Sequence, residues 1–199
     1  MEFKEVRVRD VTILVGADTD GSRLSLPTAE FIRLLHKKLI IYCKNKGLTV
    51  PPDSERDEGA LDYFQDKLLA KKYPDDKLKC TIKIAEEIIY EISCRHPFSD
   101  GNKRTALLCA SIMLTLNMET FAWKDPGNRK YSVNFEPRDA IEKGRMLEQI
   151  AKWNEDNCPE ELKEFLIQKG IKIRKKVAEE HIREYIRKFI FENLIIEKK

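Results

Sequence analysis

The sequence predicts a mainly α-helical fold: a bundle built around one central buried helix, with a small N-terminal β-hairpin and extra C-terminal helices. Three observations predict it. From Ala106 to Leu116 the chain is apolar except for Ser111 and Thr115, and a helix that is apolar on every side is surrounded by protein. Most of the rest of the chain repeats apolar residues at three- and four-residue spacing, the mark of amphipathic helices. Alternation with period two is confined to the first two dozen residues. A chain of 199 residues is long enough to bury a sizeable core.

Phe3, Val6 and Val8, then Val11, Ile13 and Val15, alternate with polar residues and read as one or two strands. Asp18-Thr19-Asp20-Gly21 is a turn signal, and Arg23 to Leu26 can return as a strand, giving a hairpin over residues 1–26. The helical body spans 27–156. Pro27 suits a helix start because its missing N–H is not needed there; Phe31, Leu34, Leu35, Leu39 and Tyr42 follow at helical spacing up to Gly47, with His36 read as a structural residue inside that helix. Pro51-Pro52 interrupts. A second helix begins near Asp57, with Leu61, Phe64, Leu68 and Leu69 on its apolar face, and Tyr73-Pro74 ends it. A third runs from Lys79 to about Arg95 on a stripe of Ile82, Ala85, Ile88, Ile89 and Ile92, and stops at His96-Pro97, because the residue before proline is driven out of the helical region. The central helix covers about Asn102 to Asn117. Loop or short strand over 118–137, with a turn at Asp125-Pro126-Gly127-Asn128, leads to a helix from Arg138 to Trp153. Residues 157–199 form the C-terminal extension: two helices, 159–168 and 172 to about 194, split by Gly170.

The bulk properties exclude several classes. Charged residues make up 36%, but 37 Lys and Arg against 34 Asp and Glu leave a net charge of only +3, so direct nucleic-acid binding is not expected. From Gln168 onward ten Lys and Arg stand against five Glu, which reads as the solvated face of a packing helix. The five cysteines are scattered without a CxxC pair and read as free thiols of a reducing cytoplasm. The charged start, Met1-Glu2-Phe3-Lys4-Glu5, lacks the apolar core of a signal peptide, and no apolar run reaches the roughly 18 residues of a membrane span. The expectation is a cytoplasmic protein with no membrane partner.

The chemistry is concentrated in His96-Pro97-Phe98-Ser99-Asp100-Gly101-Asn102-Lys103-Arg104. A loop that opens onto a helix presents unpaired N–H groups, and phosphate is the usual guest at such a helix start. Gly101 allows close backbone approach. Asn102 can donate to an oxyanion, Lys103 and Arg104 add positive charge, and Arg grips phosphate bidentately. Asp100 is the hard oxygen ligand that Mg²⁺ takes beside nucleotide phosphates. His96, at the end of the preceding helix, is placed to act as a general base. Phe98 anchors the loop in the core. The set suits transfer of a phosphoryl or nucleotidyl group to a hydroxyl.

This stretch resembles the signature of the Fic/Doc family, His-x-Phe-x-(Asp/Glu)-Gly-Asn-x-Arg. The resemblance extends to residues 34–40 as the family's first helix and to Arg56-Asp57-Glu58-Gly59 as an element of Doc-type members, and it covers roughly residues 24–153. It implies a helical bundle around a central helix, with His96 as base on a Ser, Thr or Tyr hydroxyl of a target protein. It also implies that Asp100 holds Mg²⁺, and that Gly101, Asn102 and Arg104 bind the phosphates of ATP.

Two positions depart from AMP-transferring Fic enzymes, which have Gly where this chain has Lys103 and a second Arg where it has Leu107. Lys103-Arg104 is the Doc pattern. Doc-type members are similar in this respect; they transfer the γ-phosphate of ATP, inactivate an elongation factor of translation, and are held off by a small antitoxin. Gly101 stands where the best-known Doc toxin has Ala, which keeps AMP transfer (AMPylation) as an alternative. A non-catalytic binding module is the third reading. Ser54 to Gly59 also fits the letters of a built-in inhibitor, but the Arg it would need is absent at Leu107. The C-terminal helices are expected to dimerise, to cover the active site, or to extend the core.

Overall fold

The computed structural model describes residues 2–8, 11–17, 23–118, 121–123, 164–165, 167–170 and 179–196. Strands β1 (Glu2–Val8), β2 (Val11–Ala17) and β3 (Arg23–Pro27) form an antiparallel sheet in the order β1-β2-β3, with Val8 opposite Val11 and Leu14 opposite Leu26. The alternating stretch is thus two strands, and Arg23–Pro27 adds a third, so the expected hairpin is a three-stranded sheet. Ile13, Leu14, Leu24 and Leu26 are buried where β2 and β3 lie against the helices.

Helix α1 (Ala29–Asn45) starts two residues after Pro27, capped by Thr28, whose hydroxyl accepts from the Phe31 N–H and donates to the Thr12 carbonyl of β2. Helix α2 (Ala60–Leu69) begins later than the sequence suggested, because residues 54–56 are held by the loop after α3. Asp76 caps α3 (Lys77–Arg95), accepting from the Lys79 N–H. Helix α4 (Asn102–Asn117) is buried along nearly its whole length and packs on α1, α3 and β3, as its apolar composition requires. Both ends of α4 are fastened by an asparagine that pairs with one residue's backbone on both sides. Asn117 accepts from the Ser25 N–H and donates to the Ser25 carbonyl, so it satisfies the outer edge of β3; Asn102 does the same for Phe98.

After α4, β4 (Phe121–Trp123) pairs antiparallel with β5 (Leu194–Ile196) at the end of helix α5 (Glu179–Asn193). The last helix therefore stops at Asn193 and turns into a strand, which the sequence did not suggest. Residues 164, 165, 167 and 168 are helical, and Gly170 sits in a turn with φ 68°. The helix expected over 138–153, the turns at 18–21 and 125–128, Asn157 and Cys158 lie outside the described residues. Cys43, Cys80, Cys94 and Cys109 are buried free thiols. Among the described residues, no helix is long and apolar enough to cross a membrane.

The packing of α5 on α3 corrects one expectation. Ile182, Ile186, Phe189 and Ile190 are buried, as the apolar stripe requires, but the basic residues do not all form a solvated face. Arg183 is 7% exposed and lies among Glu86, Glu87 and Glu91 of α3, themselves 0–4% exposed. Its guanidinium is 2.8 Å from Glu87, 3.5 Å from Glu86 and 3.4 Å from Glu91, and it stacks 4.0 Å above the Tyr90 ring. Lys67 of α2 reaches Glu91 and Lys71, just after that helix, reaches Glu87; Lys83 and Arg95 join from α3 itself, and Arg187 from α5. Buried carboxylates persist only when paired in this way.

Candidate active site

Helix α3 ends on His96, which takes the left-handed conformation (φ 52°, ψ 59°). Proline at 97 removes the helical option, as expected, but the residue goes to the left-handed region rather than to extended backbone. His96 is the non-glycine residue with positive φ among those described. That conformation costs a residue with a Cβ about 1–2 kcal/mol, and such strain gathers at functional sites. His96 Nδ1 lies 3.4 Å from Asn102 Nδ2.

The loop that follows is braced from outside. The Arg56 N–H donates to the Pro97 carbonyl (2.7 Å), the Ser99 N–H to the Ser54 carbonyl (3.0 Å), and Glu55 bridges Phe98 in antiparallel fashion. Arg33 of α1 holds this bracing segment, pairing with Glu55 at 2.6 Å and with Asp62 of α2 at 2.6 Å. Phe98 is buried, as its anchoring role requires.

Gly101 then turns the chain into α4 with φ 75°. A Cβ there would come within 3.1 Å of His36 Cε1 and 3.2 Å of Pro51, so packing and backbone both demand glycine. Gly101→Ala should lower stability by about 1–3 kcal/mol in urea denaturation; an unchanged midpoint would mean that Pro51 and His36 yield without cost.

Helices α1 and α3 start under side-chain caps, whereas α4 starts on Gly101 without one. Its leading N–H groups lack intrahelical acceptors, and the helix dipole adds positive potential. Lys103 and Arg104 stand on this first turn, half-buried. Arg104 is 3.6 Å from Asp100 and 3.8 Å from the Cys43 sulfur. Asp100 is exposed, and its Oδ1 accepts from the Gly101 N–H. Such a carboxylate fits Mg²⁺, which takes one or two carboxylates and draws its other ligands from phosphates and water.

Asn102 differs from its sequence reading in one respect. Its amide accepts from the Phe98 N–H (2.9 Å) and donates to the Phe98 carbonyl (2.8 Å), so the side chain is committed to shaping the loop. Leu107, where a second arginine would stand, is 0% exposed.

A cavity of about 1000 Å³ opens beside His96, walled by Arg56–Gly59, the start of α2, the end of α3 and Glu179 of α5. Asp100 to Arg104 do not line it. The sequence reading missed Glu179 here, as well as Arg33, Pro51 and His36 around the loop. Only His36 left a trace, a polar residue inside an apolar helical stripe.

Residues 26–114 match the model of the Fic/DOC family. The Fic/DOC match begins at the end of β3 and stops inside α4; it does not extend to residue 153, as the sequence resemblance did. It contains the whole His96–Arg104 loop and everything that braces it from α1, α2 and α3. It supports a Fic-type protein-modifying enzyme, in a family whose members usually transfer nucleotide-derived groups to protein hydroxyls. A search of the curated proteins and a search of the solved structures each returned no match.

Proposed function

We propose that this protein transfers the γ-phosphate of ATP to a Ser, Thr or Tyr hydroxyl of a protein target, in the manner of Doc-type toxins. The observation that carries the reading is the first turn of α4: an uncapped helix start with Lys103 and Arg104 on it, and a fully buried Leu107 where AMP-transferring relatives of the motif carry a second arginine. Gly101 is accounted for by its φ and by the contacts of Pro51 and His36, so it carries no weight for AMP transfer.

In this reading the target segment enters the cavity beside His96. The imidazole takes the hydroxyl proton, the hydroxyl oxygen bonds to the γ-phosphorus, and the bond to the β,γ-bridging oxygen breaks to release ADP. The α4 N–H groups, Lys103 and Arg104 hold the phosphates. Asp100 would hold Mg²⁺, which offsets phosphate charge when bound. Control by a small antitoxin and action on a translation factor are further parts of the proposal and rest on the Doc-type residues.

Incubation with ATP labelled at the γ or the α position tests it. Label from γ alone is expected; label from α would establish AMP transfer instead, and no label from either would leave a binding module. Lys103→Gly should move the reaction toward α-label transfer if Lys103 sets the nucleotide's orientation, and unchanged γ-transfer in that variant would refute that role.

A further inference from the structure

Helix α1 carries His36 on its buried face beside Ile32, Leu35 and Leu39, with the residue 1% exposed. One face of its ring, both nitrogens and Cε1 meet the motif, the start of α4 or the Pro51-Pro52 segment. The ring lies flat on Phe98, centroids 3.9 Å apart and planes within 6°. Nδ1 is 3.0 Å from the Thr105 hydroxyl, in the second turn of α4, and Nε2 is 3.2 Å from the Pro52 carbonyl. Cε1 closes on Gly101 together with Pro51. A histidine satisfied for packing alone needs two hydrogen-bond partners. This one also fixes the spacing between the residue before the phosphate turn, the turn itself and the helix after it.

The hydrogen bonds set the tautomer. Pro52 offers only a carbonyl oxygen, so Nε2 carries the proton and Nδ1 accepts from the Thr105 hydroxyl. Burial lowers the pKa of His36, and Arg104 of α4 acts in the same direction. The Pro52 carbonyl, Asp53 beside it and Asp100 of the motif act against them without prevailing. A charged ring would lose its acceptor for Thr105 and would face Arg104.

We propose that His36 is a positioning residue for the phosphate-binding turn: it holds Phe98, Gly101 and Thr105 in register, and with them the α4 N–H groups and Asp100 that receive the nucleotide. The inference rests on the ATP-dependent reading above, although its first test does not require activity.

The chain has three histidines, His36, His96 and His181, so ¹⁵N-histidine NMR can assign each by substitution. His36 should appear as the Nε2–H tautomer and take up its proton only below the ordinary histidine value. The Nδ1–H tautomer, or titration at the ordinary value, would overturn the proposal. His36→Phe keeps the stack and most of the volume but removes both hydrogen bonds. In folded His36→Phe, ATP should bind about three- to tenfold more weakly, and the KM for the target should stay unchanged. Thr105→Val should weaken ATP binding similarly, and the double variant should be no weaker than the worse single one, because both remove the same contact. Equal ATP affinity in the wild type and folded His36→Phe would overturn the inference alone. A wild type that binds no ATP would defeat the inference and the proposed reaction together.

Discussion

Arg183→Ala should lower the free energy of unfolding by about 3–5 kcal/mol, the usual cost of removing one partner from a buried charge network. Arg183 faces Glu86, Glu87 and Glu91 at once, and these carboxylates are 0–4% exposed, so little solvent can replace it. Urea unfolding at neutral pH reads the loss directly; a change under 1 kcal/mol would mean that Lys67, Lys71, Lys83, Arg95 and Arg187 suffice. The pH dependence supplies a second check. Burial pushes the Glu87 carboxyl up, but the hydrogen bond from Lys71 and the field of Arg183 outweigh it and hold the group below its usual value. The folded protein therefore binds fewer protons in acid than the unfolded chain does. That share of stability is complete above about pH 4.5 and is lost as pH falls through the lowered folded value. Removing Arg183 relaxes the shift, so the difference between the wild type and Arg183→Ala should narrow as pH falls below the ordinary glutamate value. The same network bears on the role of the C-terminal helices. A truncation near Asn157 removes α5 and exposes the Glu cluster and its apolar surroundings, so loss of activity in it would report damage to the core; α5 extends that core.

His96→Gly should abolish transfer while raising stability. The imidazole is the proposed base, and loss of a general base costs about a factor of 10² to 10⁴. The backbone at 96 is left-handed, a conformation glycine adopts freely, so the substitution relieves about 1 kcal/mol of strain. His96→Ala removes the base but keeps the strain. The expected order of thermal stability is His96→Gly above His96→Ala, with both folded and both inactive. An active His96→Gly would remove His96 from the mechanism, and a His96→Gly less stable than His96→Ala would contradict the strain.

Much of this was legible in the sequence, for identifiable reasons. The central helix was readable because Ala106 to Leu114 is apolar on all sides, and only a buried helix tolerates that. The end of α3 was readable because a proline follows His96. The motif loop was readable because its residue types are chemically unusual side by side. What escaped depends on contacts far apart in the chain. Nothing local indicates that Asn117 pairs with Ser25, 92 residues away. Arg183 reads as a surface cation until α3 is packed against it, and Glu86, Glu87 and Glu91 read as the polar side of α3. The strand count stayed open because the alternation over residues 3–15 reads equally as one strand or two, and periodicity alone does not mark the division between β1 and β2. His36 looked structural and is; its specific attachment to Phe98, Gly101 and Thr105 required the fold.

The central claim is that the first turn of α4 and His96 together move a phosphoryl group. The most direct measurement is the mass of a modified target peptide after reaction with ATP and wild-type protein, with His96→Gly as the control. A gain of one phosphoryl group on a Ser, Thr or Tyr, absent with His96→Gly, is the expected result. A gain of AMP on that residue, or the same modification with His96→Gly, would contradict it.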